Sequence, residues 1–169
     1  MGTKVNYISF LKDLDARLDK YFKQHSKFIY CKKGCSHCCE KGDYPISEIE
    51  LEYLMQGYLK LNNETKIVIQ DNFSKIKKGG KCPFLINKEC SIYSYRPLIC
   101  RTHGLAYMID EETVKIPYCV NNKLNYSTVY KNDMLELEPI LENLNTTNLL
   151  QKFEFGEIRN LYDWLNKEN

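Results

Sequence analysis

The chain has 169 residues, 43% of them hydrophobic and 27% charged, and 24 Lys and Arg against 22 Asp and Glu leave a formal charge of +2. That length fits one domain of about 100–200 residues with its own core, and the even charge gives no basic footprint for nucleic acid or an anionic membrane. No apolar run approaches the ~20 residues of a membrane span, and Asp13, Asp15 and Asp19 interrupt what would have to be a signal-peptide core.

In chain order, Ile8, Leu11, Leu14, Leu18, Tyr21 and Phe22 recur at steps of three and four. This spacing predicts an amphipathic helix over roughly residues 4–26 whose stripe packs into the core. Ser47-Glu48-Ile49-Glu50 fits a capping box at the start of a second helix, with Leu51, Leu54, Met55, Tyr58 and Leu59 as its apolar face. A third helix is predicted from Glu64 to Lys77, ending before Gly79-Gly80. From Cys82 to Pro117 the pattern breaks into short extended pieces, with turns at Asn87-Lys88 and at Asp110-Glu111-Glu112. Pro97 suits the first position of a short helix that places Cys100 on its first turns. From about Ser127 to Trp164 the reading is helical again, with Met134, Leu135, Leu137, Ile140, Leu141 and Leu144 on one face and a break near Pro139. No linker divides the chain. The expected architecture is mainly α with minor β, a single domain over residues 1–169 with helices around a cysteine-rich, metal-organised centre and one or two short hairpins.

All eight cysteines lie between Cys31 and Cys119. Without a secretory signal, a reducing compartment is expected, where clustered thiols are metal ligands or catalytic groups more often than disulfides; a cytoplasmic protein follows as the expectation. Asn63, Asn72, Asn125 and Asn145 each open an N-glycosylation sequon, matches that an Asn-rich chain also produces by chance. In Cys31-Lys-Lys-Gly-Cys35-Ser-His-Cys38-Cys39 the x2 spacing lets one tight turn aim Cys35 and Cys38 at a single cation. Thiolates are soft ligands that suit zinc, iron–sulfur clusters or copper(I). Cys38 and Cys39 are adjacent, and on an extended backbone their side chains diverge, so two metals, two corners of a cluster, or one idle cysteine are the outcomes expected. Cys82, Cys90, Cys100 and Cys119 complete the set. Eight sulfurs suffice for two tetrahedral all-thiolate sites, or for one four-iron cluster with cysteines to spare.

These motifs, Cys31–Cys39, then Cys82-Pro-Phe-Leu85, then Cys90-x-Ile-Tyr-x-x-Arg96-Pro97-x-x-Cys100-Arg101, together resemble the CxxCxxCC (YkgJ-like) family of zinc- or iron-chelating domains. The first gap is three residues here, where the family has two. Cys100-Arg-Thr-His103-Gly104 and Cys119-x-Asn121 resemble one branch of it. The resemblance implies metal binding, with zinc or iron left open and no general activity. Flagellin lysine N-methylases are similar in their cysteine motif, which gives the alternative of an iron–sulfur or iron-dependent enzyme of redox or group-transfer chemistry; no Gly-rich nucleotide loop accompanies it.

Arg96 and Arg101 either offset thiolate charge or fix loop carbonyls and carboxylates, and the second role is favoured. His103 is a candidate ligand or a donor to a sulfur. His37, between two candidate ligands, is expected to point away from the metal, and His25 has no constellation. A Cys–His nucleophile at His37 or His103 lacks an identifiable orienting group.

Overall fold

The computed structural model describes residues 2–32, 34–119, 123–131, 134–135 and 137–166. Among them are α1 (Gly2–Gln24), β1 (Pro45–Ser47), α2 (Glu48–Leu59), α3 (Asn63–Ser74), β2 (Leu85–Ile86), β3 (Glu89–Cys90), α4 (Leu98–Thr102), β4 (Tyr107–Met108), β5 (Val114–Lys115), β6 (Tyr130–Lys131), β7 (Met134–Leu135), α5 (Thr146–Leu150), β8 (Ile158–Asn160) and α6 (Leu161–Leu165). The strands pair only two by two among the described residues, so the chain is mainly α with minor β. It divides into two compact units, each drawn from two stretches: Met1–Cys31 with Cys100–Glu154, and Lys32–Ile99 with Phe155–Asn169.

In the first unit, α1 buries Leu11, Leu14 and Leu18 as its spacing predicts. Tyr7 is also fully buried, with its ring edge-on to Phe153 at 5.5 Å. Arg17 and Tyr21 both reach the Glu142 carboxylate, at 3.1 and 2.8 Å. The β4–β5 hairpin turns where expected, because the Asp110 side chain accepts from the backbone N–H groups of Glu112 and Thr113 and closes the loop locally. A small apolar cluster centres on Ala106 and Tyr126.

Of the helical stretch predicted from Ser127 to Trp164, the described residues before α5 hold no helix, while α5 and α6 lie in its second half. The backbone at 130–131 and 134–135 forms the antiparallel pair β6 and β7, and nothing is described of its side chains, so the expected places of Met134 and Leu135 on a helix face lie outside what is described. Ile140 instead bonds along Ala106 and Met108 beside β4, and Leu141 is 83% exposed. Two local forces defeat the helical spacing. Pro139 has no N–H to donate, and Asn143 accepts from the Asn145 N–H, offering the backbone a turn in place of a helical bond. Helix resumes only at α5, where Asn145 caps Thr147 N.

His25, buried in this unit, brings a pH dependence. Tyr126 Oη accepts from Ala106 N at 3.1 Å and shares a hydrogen bond with His25 Nδ1 at 3.0 Å. Burial lowers the His25 pKa below its ordinary 6.5. The unfolded chain therefore binds more protons than the folded one between those two values, and stability falls as pH drops through about 6.5. His103, lowered by burial as well, pulls the same way. Denaturant melts from pH 7.5 to 5 should show a shallower loss for His25→Gln than for wild type; equal slopes would exclude His25.

In the second unit, Ser47 is the N-cap of α2 as the capping box predicts. Glu50, fully buried, accepts from Ser47 N and Ser47 Oγ through one oxygen and from Leu98 N through the other, each at 2.8 Å. The core here gathers Ile46, Leu54, Tyr58, Ile69, Phe84, Ile92, Leu161 and Trp164. Of the predicted α2 face, Leu59 is instead 66% exposed. Strand β1 pairs antiparallel with β8, tying the C-terminal stretch to this unit. The β2–β3 hairpin turns on Asn87 and Lys88, both at positive φ, as the turn signal predicts.

Candidate metal centre

The eight cysteines form no disulfide with one another. Five fall in the second unit (Cys35, Cys38, Cys39, Cys82 and Cys90) and three in the first (Cys31, Cys100 and Cys119). In the second unit a helical turn is built on the Ser36 carbonyl, which accepts from the N–H groups of both Cys39 and Glu40, while Ser36 Oγ donates to the Glu40 carboxylate. Cys35 stands just before it, in a turn closed onto the Lys32 carbonyl.

The turn overturns one expectation. Cys38 has φ −69° and ψ −32°, a helical conformation and not an extended one, and its sulfur lies 3.9 Å from that of Cys39. The two side chains converge. In a tetrahedral thiolate site with bonds of about 2.3 Å, neighbouring sulfurs sit about 3.8 Å apart, so this spacing matches one edge of such a site.

Cys82 is tied to the same turn by its backbone. Its N–H donates to the Cys39 carbonyl at 2.7 Å, and Gly42 N donates to the Gly80 carbonyl at 2.9 Å. Gly42 is required there, since a Cβ on it would lie 2.8 Å from Cys82 Cβ. Cys90 enters on β3, opposite Leu85. The electrostatics show that these thiols feel one another. Burial pushes the Cys82 thiol up to about 12, and the neighbouring Cys90 and Cys38 add to the rise. Backbone N–H groups of Phe84 and Leu85 work against it by hydrogen-bonding the sulfur. Cys90 is likewise raised by burial and by Cys38, and lowered by the Ile92 N–H and by Arg96.

Arg96 therefore does both things considered for it. Its charge favours the Cys90 thiolate, while Nε donates to the Tyr93 carbonyl at 3.0 Å and the guanidinium stacks 3.6 Å from the centre of the exposed Tyr93 ring. Arg101, 4% exposed in its side chain, pairs with Asp15 at 2.5 Å, the structural role. His37 is exposed.

In the first unit, Cys119 is buried and its carbonyl accepts from Leu124 N. Cys100 sits on α4 as predicted. Cys31 accepts a hydrogen bond from Asn125 Nδ2 at 3.0 Å. Asn125, fully buried, is closed to glycosylation, and its contact with Cys31 went unforeseen because 94 residues separate the two. Asn121 lies outside the described residues.

Among the described residues, no three Cys, His, Asp or Glu side chains stand at a spacing ready to hold an ion. The chemistry of the donors nonetheless fits a soft cation. Cys38, Cys39, Cys82 and Cys90 share one unit, the two adjacent sulfurs lie at a tetrahedral edge, and backbone N–H groups at Cys82 and Cys90 and the Arg96 charge near Cys90 favour the ionised sulfurs. The CxxCxxCC family, described as a putative zinc- or iron-chelating domain, matches residues 30–120, just over half of the chain. The chain belongs to this family. The match begins beside Cys31 and ends beside Cys119, so it encloses every cysteine. No curated protein and no solved structure is significantly similar to the chain.

Proposed function

We propose that this CxxCxxCC protein is a cytoplasmic, single-domain metal-binding protein that holds zinc or iron through cysteine thiolates, with Cys38, Cys39, Cys82 and Cys90 as the ligands of one centre. Cys31, Cys35, Cys100 and Cys119 supply further ligands. The observation that carries the reading is the 3.9 Å approach of the Cys38 and Cys39 sulfurs, in the unit that also holds Cys82 and Cys90 and within the residues that match the family. Gathering thiolates at one buried place is costly without a cation, and a bound divalent ion reverses the sign of that cost. The metal, once bound, supplies positive charge and a fixed thiolate geometry. The protein's part is to present the sulfurs, to stabilise them by the N–H groups of Phe84, Leu85 and Ile92, and to offset charge with Arg96. The interleaving of the two units supports one domain, since neither is a continuous stretch that could be cut out. No helix among the described residues is long and apolar enough to cross a membrane.

Anaerobic purification followed by metal analysis tests the reading. Zinc or iron should be present at a fixed stoichiometry, and Cys38→Ser and Cys82→Ser should each lose most of it, with Cys119→Ser milder. Metal-free wild-type protein that takes up neither ion would overturn the proposal. Colour separates the two chemistries: zinc is spectroscopically silent, while a thiolate-bound iron–sulfur cluster absorbs visible light and would move the reading towards redox or group-transfer enzymes.

A further inference from the structure

We propose that Asn125 is a positioning residue for Cys31, holding its sulfur ready as a metal ligand by donating a hydrogen bond to it. The inference rests on the reading of Cys31 as a ligand. Asn125 is wholly buried, and three contacts fix its amide. Oδ1 accepts from Tyr30 N at 2.7 Å, while Nδ2 donates to the Gly104 carbonyl at 3.0 Å and to Cys31 Sγ at 3.0 Å. A donor on one side and a carbonyl acceptor on the other leave only one orientation of the amide, so it is an N–H that faces the sulfur. Both amide hydrogens are thereby used. An N–H aimed at sulfur favours the charged thiolate over the thiol, because a hydrogen bond to an ionised acceptor is the stronger one. The thiolate is the ligating form.

Gly104 makes the arrangement sterically feasible. It has φ +99°, which a side chain rarely allows, and a Cβ there would meet Cys31 Sγ at 2.6 Å and Asn125 Nδ2 at 2.7 Å. The same glycine thus provides the carbonyl that orients the amide and the space the sulfur occupies. Asn125 thus holds an N–H against Cys31 Sγ in the absence of metal.

The experiment is a double-mutant cycle in metal affinity, with Asn125→Asp, Cys31→Ser and the pair, measured by competition of zinc, and of ferrous iron in parallel, against a chromophoric chelator under anaerobic reducing conditions. Circular dichroism reports folding. Asn125→Asp keeps the acceptor for Tyr30 N but sets a carboxylate oxygen against the sulfur. It should weaken metal binding about 10- to 100-fold, the usual cost of losing such a partner, and should cost nothing further in the Cys31→Ser background. A penalty that persists in that background would show a merely structural role and overturn the proposal, as would wild-type affinity in Asn125→Asp. Should Asn125→Asp not fold, Asn125→Ser, which is uncharged and too short to reach the sulfur, runs the same cycle. Alkylation read by mass spectrometry separates the two layers. Wild-type Cys31 should be protected by metal and exposed in the Asn125 variant. If wild-type Cys31 is alkylated equally with and without metal, Cys31 is no ligand and the proposal falls with that reading; if it is protected in both proteins, Cys31 stands as a ligand and only Asn125 loses its role.

Discussion

A strong chelator under reducing conditions should lower the melting temperature of the native protein by 10 °C or more. The middle of the chain explains why. Between Cys82 and Cys119 the regular elements among the described residues include two-residue strands, a three-residue 3-10 turn at Tyr93–Tyr95 and a five-residue helix, pieces that bury little by themselves. Structural zinc contributes on the order of 10 kcal/mol in small zinc modules at neutral pH. The second unit has an apolar core of its own, so only part of that need appear here. Half of it still corresponds to roughly 10–20 °C for a chain of this size, at about 2–4 °C per kcal/mol. The effect has a pH signature. Each thiol that must release a proton makes binding weaker as pH falls, and Cys82, pushed up to about 12 without metal, loses its proton to solvent only when the ion takes its place. The chelator should therefore act faster and at lower concentration at pH 6 than at pH 8. An unchanged melt, with the metal demonstrably removed, would show that the ion does not hold the fold.

What the sequence revealed, and what it hid, divides by range. The turns at Asn87-Lys88 and Asp110, the Ser47 cap and the α1 stripe are set by residues within a few positions of one another, and each is where the pattern places it. Of the helical stretch read over Ser127 to Trp164, α5 and α6 fall in the second half, whereas the part up to Leu144 holds no helix among the described residues although its apolar spacing is regular. Spacing alone does not distinguish a helical face from an antiparallel strand pair followed by a strand-like segment when Pro139 and the Asn143 turn intervene. The cysteine motif announced its chemistry, but the placement of its sulfurs was legible only in part. Divergence of Cys38 and Cys39 followed from an assumed extended backbone, whereas the Ser36 turn makes that backbone helical and brings the sulfurs together. Asn125 beside Cys31 and Glu50 beneath Leu98 join residues 94 and 48 positions apart, and no local pattern encodes such a pairing.

Glu50→Ala should be the most destabilising single substitution outside the cysteines. The capping box accounts for only half of what this carboxylate does. Through Oε2 it closes the start of α2 by accepting from Ser47 N and Oγ; through Oε1 it accepts from Leu98 N, directly after Pro97, and so fixes the chain where the Cys90-to-Cys100 motif enters α4. Glu50 and Ser47 are both fully buried, so water cannot replace the lost acceptor without opening the unit. A buried donor left without its partner costs about 1–3 kcal/mol, and bonds to a charged group lie at the upper end. With three donors affected, a loss of about 3–5 kcal/mol and a melting temperature lower by roughly 10–15 °C are expected. Glu50→Gln should fall between. It keeps one carbonyl oxygen but turns an NH2 towards whichever donors that oxygen no longer serves, so either the α2 cap or the Leu98 bond is lost. Hydrogen exchange at Leu98 reports which: fast exchange in Glu50→Ala with slow exchange in Glu50→Gln means the amide oxygen stays on α4. A Glu50→Ala protein that melts within about 3 °C of wild type would mean that the Leu98 and Ser47 donors find other acceptors, and that the capping box is a local feature with no hold on the cysteine motif.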